Sequence, residues 1–114
     1  MTRTIQIIGT RNCKDTRKAD RFFRERGFRA HLVDLNERSL SEGELRNICR
    51  NLDPEELLDR ESRAYAEAGL AYMVYDPIEE ALKNPAVLKT PIVRCGKEVT
   101  IGLQPQVWKS WLKG

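Results

Sequence analysis

The first 34 residues contain the pattern that most constrains the fold: a strand, a helix and a second strand in close succession. Residues 4–8 form a short β-branched run that ends at Gly9, which predicts a buried strand. Helical periodicity follows from about Cys13 to Arg26, Gly27 provides a stop, and residues 29–34 predict a second strand. Strands joined through one helix run parallel by a right-handed crossover, so the chain is expected to open with a βαβ unit.

The middle of the chain predicts a series of short helices. Ser41 with Glu44 three residues later is a capping box, which opens a helix to about Arg50. A further helix is expected over residues 61–68. Asp76 followed by Pro77 has the form of an N-cap with proline at the first helical position, and it opens another helix.

The last thirty residues predict a hairpin and a final helix. Residues 91–94 and 97–100 flank a turn at Cys95-Gly96, and Gln106 to Lys113 form a helix with four apolar side chains inward. Those side chains are Val107, Trp108, Trp111 and Leu112. This order predicts an α/β, thioredoxin-like fold, a four-stranded mixed sheet flanked by helices with a helical segment inserted between the second and third strands. We expect one domain over residues 1–114, with the insert at about 40–84.

Composition excludes several classes of protein. The 114 residues are 40% hydrophobic and 32% charged, and no apolar run approaches the ~20 residues that cross a bilayer. The first residues lack a signal-peptide pattern, so we expect a cytoplasmic protein without a membrane partner. Three cysteines without a C-x-x-C pair, and one histidine, predict no metal site. Nucleotide-binding motifs are absent, so no bound cofactor is expected, and we expect a monomer.

Positive charge is concentrated at the start of the chain. Residues 1–31 carry nine lysines or arginines and three acids, whereas residues 32–114 carry eleven and fourteen. Such a field attracts phosphate or carboxylate ligands, or an acidic partner. No aromatic interleaving or DNA-binding motif accompanies it, so direct binding of nucleic acid is not expected.

Cys13 is the position that bears chemistry. It stands where the first strand meets the first helix, so unpaired amides and the positive end of the helix dipole converge on it. Arg11, Lys14 and Arg17 are near in sequence, and Asp15 opposes them. These charges predict a lowered pKa for Cys13 and a reactive thiolate; the alternative is a small residue that fills the turn. By contrast, Cys49 is expected to be half-buried, and Cys95 exposed beside a turn.

Several blocks of this sequence resemble the arsenate reductase-like family. They are residues 13–19 (CKDTRKA) after an Ile-Ile-Gly strand end, residues 57–61 (LLDRE), residues 65–70 (YAEAGL), residues 84–93 (NPAVLKTPIV) and residues 101–103 (IGL). That family includes glutaredoxin-linked arsenate reductases, the Spx transcription regulators and YffB-type proteins. The resemblance implies a thioredoxin-like fold with Cys13 as the nucleophile and Pro91 as a cis-proline facing it.

The departures from the family pattern concern the groups around that cysteine. Thr16 stands where many Spx-type members have a second cysteine. Arsenate reductases of the family use three arginines; Thr90 occupies the position of one, and residues 102–105 offer no cation for another. Arg60 could supply the remaining one, with Lys89 or Arg94 as substitutes from a different geometry.

The residues and the resemblance together predict an oxidoreductase that uses one cysteine, with glutathione as co-substrate and with glutathione or glutaredoxin as partner. Two alternatives stay open: a non-enzymatic regulator that resembles Spx and binds RNA polymerase, and an arsenate reductase coupled to glutaredoxin. The catalytic residue is Cys13. The expected substrate- or glutathione-binding residues are Arg11, Asn12, Lys14, Thr16, Arg17, Arg60, Thr90 and Pro91.

Overall fold

The first strand, β1 (Ile5–Gly9), lies inside the sheet, in keeping with its nearly continuous apolar sequence. In the computed structural model, which describes residues 4–112, β1 pairs in parallel with β2 (His31–Asp34). On its other side β1 pairs antiparallel with β3 (Ile92–Cys95), which pairs antiparallel with β4 (Glu98–Ile101). The order is β2-β1-β3-β4, so the predicted four-stranded mixed sheet is confirmed.

Helix α1 (Lys14–Glu25) connects β1 to β2 and buries one apolar face. Ala19, Phe22 and Phe23 recur at helical spacing on that face, and they pack with Ile5 and Ile7 of β1. The helix ends before Gly27, whose φ of 81° is open to glycine without a steric penalty. The predicted βαβ unit is therefore present, with its helix one residue shorter at each end.

Residues 39–89 form a helical unit of their own. It contains α2 (Glu42–Ile48), α3 (Arg63–Glu67) and α4 (Pro77–Lys83), joined by short 3₁₀ turns. The predicted capping box is present, because Ser41 Oγ accepts from Glu44 N and the Glu44 carboxylate accepts from Ser41 N. The predicted Asp76 cap also accepts, from Ile78 N. The helical segment thus follows β2 and precedes β3 along the chain, as expected. That the two units form one domain stays a prediction.

The final helix, α5 (Pro105–Leu112), packs into the same core as β1 and α1. Trp108 is 0% exposed, and its ring centroid lies 5.3 Å from that of Phe22 and 5.4 Å from that of Phe23. Its indole N–H donates to Thr100 Oγ1 at 2.8 Å, which satisfies the buried polar edge. Val107 was expected inward, but it is exposed, since it lies about 100° around the helix from Trp108. Lys113, the predicted helix end, lies outside the described residues.

The hairpin differs from expectation by one residue. Cys95 is the last residue of β3, buried and paired with Glu98, so the turn is formed by Gly96 and Lys97. The turn therefore lies one position later than predicted. Its first residue, Gly96, has a φ of 61°, a conformation that favours glycine. The expectation of an exposed Cys95 is therefore wrong.

Within residues 4–112, no helix combines the length and the apolar character that crossing a membrane requires.

Candidate active site at the first helix

Cys13 occupies the N-cap position of α1. Its backbone is extended, at φ −79° and ψ 121°, and its carbonyl accepts the first helical hydrogen bond from Arg17 N at 3.1 Å. The turn that leads there from β1 is closed by Cys13 N, which donates to Thr10 O at 3.1 Å. The thiol is half-buried. A strand that ends in a tight turn thus presents this sulfur at the amino end of the helix.

The loop before β3 supplies a hydrogen bond to the same sulfur. Thr90 Oγ1 donates to Cys13 Sγ at 3.1 Å, and the Thr90 carbonyl oxygen lies 4.0 Å from that sulfur. The Thr90–Pro91 peptide bond is cis, as predicted for Pro91. Pro91 itself is buried, and its carbonyl accepts from Gly102 N at 2.8 Å. Two segments 77 residues apart in sequence therefore meet at Cys13.

Burial raises the pKa of Cys13, but hydrogen-bond donors outweigh this effect and bring the pKa below its ordinary value. The donors are the hydroxyl groups of Thr16 and Thr90 and the backbone N–H groups of Thr16 and Asp15. The two N–H groups make no regular capping hydrogen bond to the thiol, but at the start of the helix they still favour the thiolate. The predicted direction is confirmed. The amides at the start of the helix contribute as predicted, but the other donors are the hydroxyl groups of Thr16 and Thr90 rather than the predicted cations.

Thr16 is packed against both Cys13 and the end of β1. It is 2% exposed, and its Oγ1 is buried without a regular hydrogen bond in the described part of the chain, although the hydroxyl still favours the thiolate. A Cβ placed on Gly9 would lie 2.3 Å from Thr16 Oγ1 and 2.9 Å from Thr16 Cγ2. Gly9 is therefore required for Thr16 to occupy this position beneath the sulfur.

The basic residues predicted around the site differ in their environments. Arg11 lies in the turn beside Asn12, and its guanidinium contacts Asp34 at 3.5 Å and Glu37 at 3.9 Å. Lys14 and Arg17 are exposed, and neither forms an ion pair within residues 4–112. Arg11 is thus partly neutralised by the end of β2, whereas the two helix cations are available to an anionic ligand.

Arg60 lies in the helical unit, in a polar cluster of its own. Its guanidinium donates to a Glu55 carboxylate oxygen at 3.0 Å, and the same oxygen accepts from the Tyr75 hydroxyl at 3.0 Å. The Tyr75 hydroxyl also lies 3.1 Å from that of Tyr65. The hydrogen bond with Tyr65, burial and the nearby Glu55 carboxylate raise the pKa of Tyr75, so its hydroxyl stays protonated as a donor. Glu55 therefore holds the guanidinium that the resemblance assigned to substrate.

The other two thiols have different surroundings from Cys13. Burial, with Asp53 and Glu56 nearby, raises the pKa of Cys49, so this half-buried thiol resists ionisation. Cys95 pairs with Ile5, at the first residue of β1, whereas Cys13 follows Gly9, at the last residue of that strand. The two ends of β1 are about 13 Å apart. A disulfide needs Cα atoms within about 7 Å, so Cys95 cannot bridge to Cys13. No three His, Cys, Asp or Glu side chains of residues 4–112 gather into a metal site.

A four-stranded mixed sheet with a cysteine at the amino end of its first helix, beside a cis-proline, defines a thioredoxin-like protein. The chain belongs to the ArsC family, whose profile matches residues 8–111. It therefore has the arsenate reductase-like fold that its sequence blocks predict. No protein with a curated description matches the chain.

Solved structures support this assignment at the level of the fold. A YffB protein shares 22% identity at a TM-score of 0.85, over 96% of this chain and 100% of that one. An arsenate reductase from Vibrio cholerae shares 19% identity at 0.83, over 96% and 98%. A glutaredoxin from Archaeoglobus fulgidus shares 12% identity at 0.51, over 99% and 89%. The last likeness is to a glutaredoxin and agrees with the thioredoxin-like fold.

Replacing Thr90 by valine is expected to raise the pKa of Cys13, because it removes the hydroxyl that donates to Sγ while keeping a similar shape. A hydrogen bond to a charged group contributes about 1.5–3 kcal/mol, so alkylation of Cys13 at neutral pH should slow by roughly tenfold or more. The measurement is iodoacetamide labelling of Cys13 across pH, followed by peptide mass spectrometry. Thr90→Ser, which keeps the hydroxyl, is the matched control; equal slowing by both variants would contradict the role of Oγ1.

Proposed function

We propose that this protein is a glutathione-dependent thiol oxidoreductase that works through Cys13 alone. The observation that carries the proposal is the hydrogen bond of 3.1 Å from Thr90 Oγ1 to a half-buried sulfur at the amino end of α1. Together with the Thr16 hydroxyl and two amides it lowers the pKa of that thiol, overcoming the opposing effect of burial. Thiolates, rather than thiols, attack disulfides, so these donors favour exchange chemistry.

The reaction has two balanced exchange steps. The Cys13 thiolate attacks the glutathione sulfur of a mixed disulfide; a new S–S bond forms to Cys13, and the substrate sulfur leaves as a thiolate that takes a proton from water. A glutathione thiolate then attacks the glutathione sulfur on Cys13, which releases oxidised glutathione and restores the Cys13 thiolate. In total, one mixed disulfide and one glutathione thiol are consumed, and one substrate thiol and one molecule of oxidised glutathione are formed. The substrate sulfur is thereby reduced to a thiol. Thr16 cannot resolve the intermediate because it has no thiol.

The residues around Cys13 suggest how glutathione is held. Lys14 and Arg17 are exposed cations without ion pairs among the described residues, so they suit the glutathione carboxylates. The backbone of Thr90 would pair with the cysteinyl peptide of glutathione. Arg11, engaged with Asp34, would set the edge of the site. Asn12, Thr16, Pro91 and Arg60 stay predicted contributors.

The test is the adduct that forms with oxidised glutathione at neutral pH. We expect one glutathione on the Cys13 peptide, with much slower modification of Cys49, whose pKa is raised by burial and nearby carboxylates. Peptide mass spectrometry over time gives the rate for each thiol. Modification of Cys49 at the rate of Cys13, or an adduct on neither, would refute the proposal.

Arsenate reduction coupled to glutaredoxin is the second candidate, and membership of the ArsC family favours it. Thr90 at the position of a family arginine and the Arg60–Glu55 pair weigh against it, since a tetrahedral dianion needs several charged donors. Arsenate-dependent oxidation of NADPH through glutathione and glutaredoxin would support it. The Spx-like alternative stays a prediction, and recovery of RNA polymerase subunits in a pull-down tests it.

A further inference from the structure

We propose that a groove between α1 and α5 binds an acidic peptide segment of a partner protein, with an apolar side chain of that segment seated in the groove. Two features lead to this inference: a line of exposed cations on α1, and an apolar depression beside the second half of that line. Both belong to the part of the chain that also contains Cys13. The groove and the second half of this line, at Lys18 and Arg21, contain none of the residues proposed to hold glutathione, so peptide binding there does not depend on the thiol chemistry.

The cations lie on one face of α1, at the spacing i, i+3, i+4 and i+7. We call this set the basic stripe; its members are Lys14, Arg17, Lys18 and Arg21. All four are exposed, and none forms an ion pair within residues 4–112, whereas Arg24 on the same helix is paired with Asp20. The stripe runs about 10 Å along the helix, which is the length of several residues of a bound peptide.

The groove has a volume of about 310 Å³ and lies beside the second half of the stripe, at Lys18 and Arg21. Phe22 and Trp108 lie at its base, and its exposed apolar surface comes from Pro105 and Leu103. Leu103 is 40% exposed within this groove, so an apolar side chain placed there would be buried against it.

A further cation is fixed at the rim. The Arg26 guanidinium carbon lies 3.8 Å from the centre of the Phe22 ring, and Arg26 NH1 donates to Phe22 O at 3.1 Å. Glu25 is the acid on this rim, so three cations face one carboxylate around the groove. An apolar depression edged by cations is complementary to a segment that combines carboxylates with a leucine or phenylalanine.

The same features disfavour a single-stranded nucleic acid as the occupant. Binding of single strands relies on exposed aromatic rings on which bases stack. Here the aromatic side chains of the groove are packed into the core, with Phe22 9% and Trp108 0% exposed. The exposed apolar contacts are the aliphatic Leu103 and Pro105, which accommodate a hydrophobic side chain rather than a base.

The experiment uses the full chain and a fluorescein-labelled twelve-residue peptide of Glu and Asp with two leucines four residues apart. We expect saturable binding by fluorescence anisotropy at low salt, weakening as salt is added. Lys18→Gln with Arg21→Gln should weaken binding about tenfold, since two charge pairs are lost. Arg63→Gln with Lys97→Gln removes two exposed cations elsewhere and is the matched control, which should bind as the unmodified chain does.

Two further comparisons separate the apolar groove and Cys13 from charge alone. Leu103→Ser should weaken the leucine peptide but leave unchanged the weaker binding of a polyglutamate of equal length. Cys13→Ser should bind the leucine peptide as the unmodified chain does, whatever becomes of the thiol chemistry. Circular dichroism confirms that each variant is folded.

Several results would overturn the proposal. They are absence of saturable binding, equal binding of polyglutamate and the leucine peptide, equal weakening by the control variant, and stronger competition by duplex DNA than by unlabelled peptide. Concentration-dependent dimerisation of the chain that Lys18→Gln with Arg21→Gln abolishes would also overturn it, because the occupant would then be a second copy.

Discussion

Turnover of a glutathione mixed disulfide is expected to fall to the uncatalysed rate when Cys13 is replaced by serine. A serine hydroxyl is not ionised near neutral pH, and it cannot form or release the disulfide intermediate. The measurement is oxidation of NADPH coupled through glutathione reductase, with a glutathionylated peptide as substrate. Cys49→Ser is the matched control, since Cys49 is also half-buried and has a raised pKa from burial and nearby carboxylates. It should keep the full rate.

The pH dependence of the unmodified protein gives this prediction a second readout. The lowered pKa of Cys13 means that the thiolate forms at a lower pH than in a free cysteine, whose pKa is about 8.5. The rate of the first exchange step should therefore rise with pH and level off below that value. Retained turnover in Cys13→Ser, or a rate that still rises steeply above pH ~9, would contradict the assignment of Cys13 as the nucleophile.

The second large effect concerns stability. Gly9→Ala is expected to destabilise the protein by about 1–3 kcal/mol, the usual cost of overfilling a packed interior. The added methyl group would lie 2.3 Å from Thr16 Oγ1 and 2.9 Å from Thr16 Cγ2, and Thr16 is fixed on α1 with 2% exposure. Urea denaturation gives the free energy of unfolding for each variant.

A double-mutant cycle tests the stated cause. Thr16→Ala removes the two γ atoms that meet the new methyl group, and leaves Thr16 Cβ at 3.2 Å from it, a contact that a small shift relieves. Gly9→Ala should therefore cost much less in the Thr16→Ala background, with a coupling energy of about 1–2 kcal/mol. Additive effects of the two substitutions would show that the cost arises elsewhere, for example in the strand backbone.

Much of the fold could be predicted because it depends on local periodicity. The β-branched run of β1, the capping box at Ser41 and the proline after Asp76 each act over a few residues, and each is present in the structure. The misplaced turn and the exposed Val107 depended on one-residue register, which periodicity leaves ambiguous. Cys95 was wrongly placed at the surface for the same reason.

The site could be predicted in position but not in its interactions. Helical periodicity placed Cys13 at the start of a helix, and the family resemblance implied a cis bond at Pro91. It did not reveal that the Thr90 hydroxyl reaches the sulfur, because that contact spans 77 residues and depends on side-chain orientation. Nor did it reveal that Asp34 and Glu37 partner Arg11, since the end of β2 approaches the turn only in three dimensions.

The two outer strands of the sheet bear on how this chain behaves at high concentration. Strands β2 and β4 are each only four residues long, and each has a carboxylate at one end, Asp34 or Glu98. Short, charged edge strands leave few free amide and carbonyl groups in a row for a neighbouring molecule to extend the sheet. Accidental edge-to-edge association into fibrils is thereby discouraged, and a long apolar insertion into either strand would remove that protection.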